Sequence, residues 1–191
     1  EALLNVGNCF SVRLRAPHTG SIDIATYYMS NYTCEYARAL VERGIEGGYQ
    51  FLDAMIGVDA CSMMNRAMEH FEILKVNEKP SFFVTHCDIP YKITDYTLDS
   101  YVKQMRRRVL DPLTEKYGVD TSDAAIRQAV KEHNEVCSII SEIGELRKEE
   151  NPVITGYEFH VLNLVSFTCP KYLILPYLRE TLTELKKRKP D

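Results

Sequence analysis

The stretch Phe51-Leu52-Asp53-Ala54-Met55-Ile56-Gly57-Val58-Asp59-Ala60-Cys61-Ser62-Met63-Met64-Asn65-Arg66 decides how the chain is read. Its first eight residues form an apolar run of strand length, interrupted only by Asp53, which predicts a buried-type strand over Phe51–Val58. After Val58 the period changes. Met63, Met64, Ala67, Met68 and Phe71 recur at helical spacing, predicting a helix over Ser62–Leu74. A strand that feeds a helix across a two- or three-residue turn is half of a βαβ unit. Pro80 then precedes Ser81-Phe82-Phe83-Val84-Thr85, which reads as the next strand. Upstream, Cys9–Leu14 alternates well enough for a strand, and Cys34–Arg43 carries Tyr36, Ala37, Leu40 and Val41 on one helical face before Gly44. Strands separated by helices imply a parallel sheet. The fold class expected is α/β: a small parallel sheet flanked by helices, Rossmann- or flavodoxin-like, followed by a helical segment.

Beyond Thr94 the pattern is helical nearly to the end. Leu98, Tyr101, Val102, Met105, Val109, Leu113 and Tyr117 form one stripe, kinked at Pro112 and stopped at Gly118. Thr121 or Ser122 caps a second helix, which Asn151-Pro152 closes. Two more run over Thr155–Phe167 and Leu173–Lys187. This divides the chain into an α/β domain over 1–92 and a mostly helical segment over 93–191. The absence of Met at Glu1 and the charged tail Lys186–Asp191 lead us to expect a piece of a longer protein.

Composition narrows the function. The 191 residues are 45% hydrophobic and 26% charged with a net charge of −4, ordinary globular usage that argues against a general nucleic-acid binder. No apolar run reaches the roughly 18 residues of a membrane span. Six Cys is too sparse for a disulfide scaffold, so the thiols are expected to be reduced and the protein cytoplasmic.

Two of those cysteines open helices. Cys34 follows Asn31-Tyr32-Thr33, and Cys61 follows the strand ending at Val58; 27 positions, one βαβ step, separate them. Strand-to-helix turns of parallel sheets gather at the carboxyl edge, where ligands bind. A helix N-terminus favours thiolate, the form that soft metals and iron–sulfur clusters require. On spacing alone the commoner reading of each Cys is a small buried hydrophobe. His86 and Cys87, ending the third strand, read as possible metal ligands or as a satisfied strand-end pair. Cys9 and Cys137 read as core, and Cys169 as part of an inter-helix turn. Tyr27, Tyr28 and Tyr32 crowd the approach to Cys34 and either shield a site or pack. Met63, Met64 and Met68 read as core, and Arg106-Arg107-Arg108 as a solvated face. No GxGxxG, Walker, G-x-S-x-G, H-E-x-x-H or C-x-x-C pattern occurs.

The segment Asp53–Arg66 resembles the D-component family of 2-hydroxyacyl-CoA dehydratases, which includes the benzoyl-CoA reductase subunits. There a strand ending in a C-x-x-M-x-R-like run delivers a cluster-ligating Cys, here Cys61. Asn31-Tyr32-Thr33-Cys34 is similar to the earlier cluster cysteine. Cys87-Asp88-Ile89-Pro90-Tyr91-Lys92, Gly118-Val119 with Thr121 and Ile126–Asn134, and Glu142–Arg147 with Pro152–Gly156 extend the resemblance over nearly the whole chain.

The resemblance implies two α/β domains per subunit and a [4Fe–4S] cluster held by three cysteines. Cys34 and Cys61 map to the first two, and the third ligand lies outside this chain. It also implies a homologous sister subunit and an ATP-dependent iron–sulfur activator. The substrate would be an acyl-CoA that receives a low-potential electron, for dehydration of a 2-hydroxyacyl-CoA or reduction of an aromatic acyl-CoA. The alternative is a catalytically inactive relative serving as an interaction or electron-carrier module.

Overall fold

A computed structural model describes residues 1–189. Two compact units emerge: one made of Leu14–Tyr117, the other of Glu1–Arg13 together with the chain from Gly118 onward.

The Leu14–Tyr117 unit is α/β. Its elements are α1 (Asp23–Tyr28), α2 (Glu35–Ile45), β1 (Ala54–Val58), α3 (Ser62–Ile73), β2 (Phe83–Cys87), α4 (Asp95–Met105), a π turn (Arg106–Leu110) and α5 (Asp111–Tyr117). β1 and β2 pair in parallel, with Ala54 opposite Phe83 and Val58 opposite Cys87. Both strands therefore end on the same edge, and Asp59 N–H donates to Cys87 O at 2.9 Å to tie those ends together. The Tyr117 hydroxyl lies 2.6 Å from Asp53 O and 2.8 Å from Ser81 O, sharing its proton between carbonyls at the entrances of both strands.

The core of this unit gathers Ala37, Leu40 and Val41 from α2, Met55 from β1, and Ala67, Met68 and Phe71 from α3. Phe71 stacks on Tyr49 with ring centroids 5.6 Å apart. Helix α2 ends in a Schellman turn: Gly48 N–H reaches back to Arg43 O at 2.9 Å, and Gly47 takes the left-handed φ of +79° that the turn requires. The buried Glu42 carboxylate accepts from Ala25 N–H at 2.6 Å and pins α1 to α2.

The second unit is helical. A short 3-10 turn (Ala2–Asn5) precedes α6 (Asp123–Glu145), α7 (Gly156–Thr168) and α8 (Lys171–Lys187). Val136, Ile139 and Ile143 of α6 pack with Ile174, Leu175, Leu178 and Leu185 of α8. Ser122 caps α6 by accepting from Ala125 N–H, and Thr155 with Glu158 forms a capping box on α7. The buried Lys171 ammonium is paired with Glu1 at 3.0 Å and with the Ser166 carbonyl.

Several expectations shift. Cys9–Leu14 is not a strand, because no strand among the described residues pairs with it; its Arg13 N–H donates to Phe167 O at 3.0 Å instead. Among the described residues the sheet therefore has two strands. β1 starts at Ala54 rather than Phe51. Tyr49–Leu52 forms a turn, held by the buried Asn77 amide, which donates to Tyr49 O and Leu52 O at 2.9 and 3.0 Å. The kink at Pro112 takes the form of the π turn. Proline has no N–H for the Arg108 carbonyl, and Asp111 N–H bonds five residues back to Arg106 O. Leu98 and Val102 on α4 are exposed, and of the apolar stripe only Val109 and Leu113 are buried.

Candidate two-thiol site

Cys61 is the N-cap of α3, three residues past the end of β1, and its side chain is exposed. The turn that carries it is closed by the Asn65 amide donating to the Asp59 carboxylate. Cys34 is the N-cap of α2 and is also exposed. Its approach differs from expectation: α1 and a turn precede it, not a strand. That turn is fixed by Arg38, whose Nε donates to Thr33 O at 3.2 Å while Nη1 reaches Thr26 Oγ1 at 3.4 Å and Asn31 Oδ1 at 3.5 Å.

The two helix entrances meet through a methionine. Cys34 N–H donates to Met63 Sδ at 3.1 Å, and Met63 lies two residues past Cys61 in the first turn of α3. Helices α2 and α3 pack on each other through the core just described. The chain thus presents two exposed thiols at adjacent helix N-termini, linked by one side-chain-to-backbone bond. Neither sulfur makes a capping hydrogen bond to its own helix.

This donor set suits part of a soft-metal centre. Thiolate sulfur is the ligand of iron–sulfur clusters, and two such groups on separate rigid elements can bridge a multi-iron core. Among the described residues no group of three or more His, Cys, Asp or Glu comes together to hold a metal by itself. Cys34 and Cys61 are the thiols that such a centre would draw on here.

The other candidates separate. Cys87 is 4% exposed at the end of β2; burial pushes its thiol pKa up, against the pull of the Arg108 guanidinium. Arg108 donates to His86 O at 2.6 Å, so the third arginine of the Arg106–Arg108 run stabilises a strand end instead of lying in solvent. Gln104 of α4 brackets Asp88, accepting from its N–H at 2.8 Å and donating to its carbonyl at 3.0 Å. Met68 is core and Met64 packs against it, but Met63 is exposed, contrary to the grouping of all three as core.

Tyr27 and Tyr32 do not pack: they are 88% and 95% exposed. Tyr28 contacts His70 edge-on, and its carbonyl is 3.0 Å from His70 Nε2. Cys137 is exposed on α6 with its sulfur 3.5 Å from His133 Nε2, not core. The His-x-x-x-Cys spacing at i and i+4 is the sequence signal for that pair. Cys9 and Cys169 are partly buried. A shallow cleft of about 200 Å³ between α6 and α8, lined by Lys131, Glu135, Tyr172, Pro176 and Arg179, contains none of the predicted site residues. No helix among the described residues is long and apolar enough to cross a membrane.

Comparison with known proteins matches the profile of the 2-hydroxyglutaryl-CoA dehydratase D-component over residues 1–191. A benzoyl-CoA reductase subunit of Thauera aromatica is 20% identical over 143 residues, covering 75% of this chain and 36% of the relative. The chain thus spans about a third of the length of that curated relative. Matched from end to end by the family's profile and built on an α/β scaffold, the chain belongs to the 2-hydroxyglutaryl-CoA dehydratase D-component family.

Proposed function

We propose that this chain is the portion of an iron–sulfur subunit that supplies Cys34 and Cys61 to a [4Fe–4S] cluster serving acyl-CoA dehydration or reduction. The observation that carries the reading is the Cys34 N–H to Met63 Sδ bond at 3.1 Å, which joins the entrances of α2 and α3, each opened by an exposed thiol. Family membership supports a dehydratase or reductase component acting on an acyl-CoA. When bound, such a cluster supplies single electrons at low potential, which a poorly reducible thioester carbonyl requires.

The residues of the chain have definable tasks. Cys34 and Cys61 hold iron through sulfur. Arg38 and Asn65 fix the two turns that carry them. The Asp59–Cys87 bond keeps the carboxyl edge of the sheet closed behind the site. Tyr27, Tyr32 and Tyr91 stand exposed on the same unit and suit a surface that a further polypeptide covers. A dry surround protects reduced acyl species from water. The third ligand, a homologous sister subunit and an ATP-dependent activator complete the proposal, with turnover in the cytoplasm.

The test is activity of the natural full-length protein, purified without oxygen and combined with its sister subunit, an activator, ATP and a strong reductant. Mass spectrometry of a panel of 2-hydroxyacyl- and aromatic acyl-CoA thioesters reads out loss of water or gain of hydrogen. Turnover of at least one class, abolished in Cys34→Ser and in Cys61→Ser, is expected. Turnover that survives both substitutions refutes the proposal. A full-length protein that binds no iron and turns over neither class belongs instead with catalytically inactive relatives.

A further inference from the structure

We infer that Met63 is a positioning residue that sets the spacing of the two thiols; this rests on the reading of Cys34 and Cys61 as ligands of one centre. At a helix N-cap the backbone N–H has no partner within the helix. At Cys34 that donor is taken by Met63 Sδ at 3.1 Å, a side chain rooted in the other cysteine-bearing helix. Burial does not explain where Met63 sits. Met68 on the same helix is core and Met64 packs against core, whereas Met63 is 40% exposed. Ordering an exposed, unbranched side chain costs rotamer freedom, which a specific contact must offset.

The turn before Cys34 is already held by Arg38 from within α2. Met63 adds the one bond from α3 to Cys34, and so fixes one entrance relative to the other. Its use of the backbone N–H leaves both sulfurs available to a common ligand. Leucine has nearly the volume of methionine but no acceptor. Glutamine matches its length and offers an amide oxygen.

The test uses the full-length protein, metal-free and reduced, titrated with phenylarsine oxide. The reaction forms two As–S bonds: the two thiols give up their protons, the arsenic oxygen leaves as water, and no oxidation state changes. Tight binding therefore needs two thiols within reach of one atom. We expect wild type to bind one equivalent through this site, Cys34→Ser or Cys61→Ser to weaken it, and the double variant to abolish it. Met63→Leu should weaken it about three- to tenfold, the share of one net hydrogen bond, with the melting temperature lowered by no more than about 2–4 °C. Met63→Gln should restore it.

Wild-type affinity in Met63→Leu overturns the inference, as does weakening in Met63→Gln equal to that in Met63→Leu. Cluster assembly on Cys34 and Cys61 with no effect of Met63→Leu on arsenical affinity leaves the proposed function standing and removes the positioning role. Weakened arsenical binding in Met63→Leu, in a protein that never takes up iron, does the reverse.

Discussion

Helix α3 delivers Cys61 to the end of β1 while lying on that strand, and at Gly57 the Met68 side chain of α3 comes up against the strand backbone. A Cβ built on Gly57 would sit 1.8 Å from Met68 Sδ and 2.4 Å from Met68 Cε. Gly57→Ala must therefore displace the end of the Met68 side chain, which is 2% exposed. Overpacking of this kind costs about 1–3 kcal/mol, and the flexibility of methionine keeps it in the lower half, about 1–2 kcal/mol. Met68→Ala alone leaves a core void and costs about 3 kcal/mol. In the double variant the new methyl enters space that Met68 vacated, so the two effects offset each other by about 1 kcal/mol. The chain has no Trp, so native-state hydrogen exchange at the β1 and α3 amides gives the local free energies directly. A double variant as destabilised as the sum of the singles, or more so, refutes the packing argument.

Asn77→Ala removes the donors to Tyr49 O and Leu52 O and the acceptor for Lys79 N–H; exchange protection of β1 should fall by about 2–3 kcal/mol, and a loss under about 0.5 kcal/mol contradicts the anchoring role. Thr155→Ala should cost about 1 kcal/mol in a urea melt of the helical unit, as for other lost N-caps. Glu158 is held down to about 2, first by the Thr155 N–H and hydroxyl and then by Arg188. Its folded-state value is depressed, so its contribution is present above the usual 4.5 and is lost as pH falls toward about 2; an NMR titration midpoint near 4.5 counts against the capping box. Alkylation by iodoacetamide should reach Cys34 and Cys61 well before Cys87, which burial keeps both covered and protonated; equal rates at all three contradict the placement of Cys87.

Much of the fold is legible in the sequence because its signals are local. The switch from an apolar run to 3.6-residue spacing at Cys61 places β1 and α3 within a few residues. The Thr155–Glu158 capping box and Gly118 mark helix ends, and Pro112 marks the break that takes the form of a π turn. What the sequence hides depends on partners distant along the chain. Cys9–Leu14 alternates as a strand does, but alternation cannot tell whether a neighbouring strand is in place. Phe51 and Leu52 look like strand until Asn77, some 25 residues later, claims the backbone carbonyls nearby. α1 is six residues long, too short to show a period, and it is held by the distant Glu42.

The site divides in the same way. Cys34 and Cys61 are legible as helix-opening thiols within a family-like pattern. Their linkage through Met63 is not, because a thioether reaching across to another helix leaves no trace in spacing. Cys137 reads as core on the strength of Val136 beside it; one helical residue turns the side chain about 100° and brings it to His133 instead.

The most direct measurement is iron and acid-labile sulfide in the natural full-length protein, isolated without oxygen, with Mössbauer spectra of wild type, Cys34→Ser and Cys61→Ser. The account predicts about four irons and four sulfides per chain in wild type and loss of the cluster in each variant. An intact cluster of unchanged spectrum in either variant would contradict it.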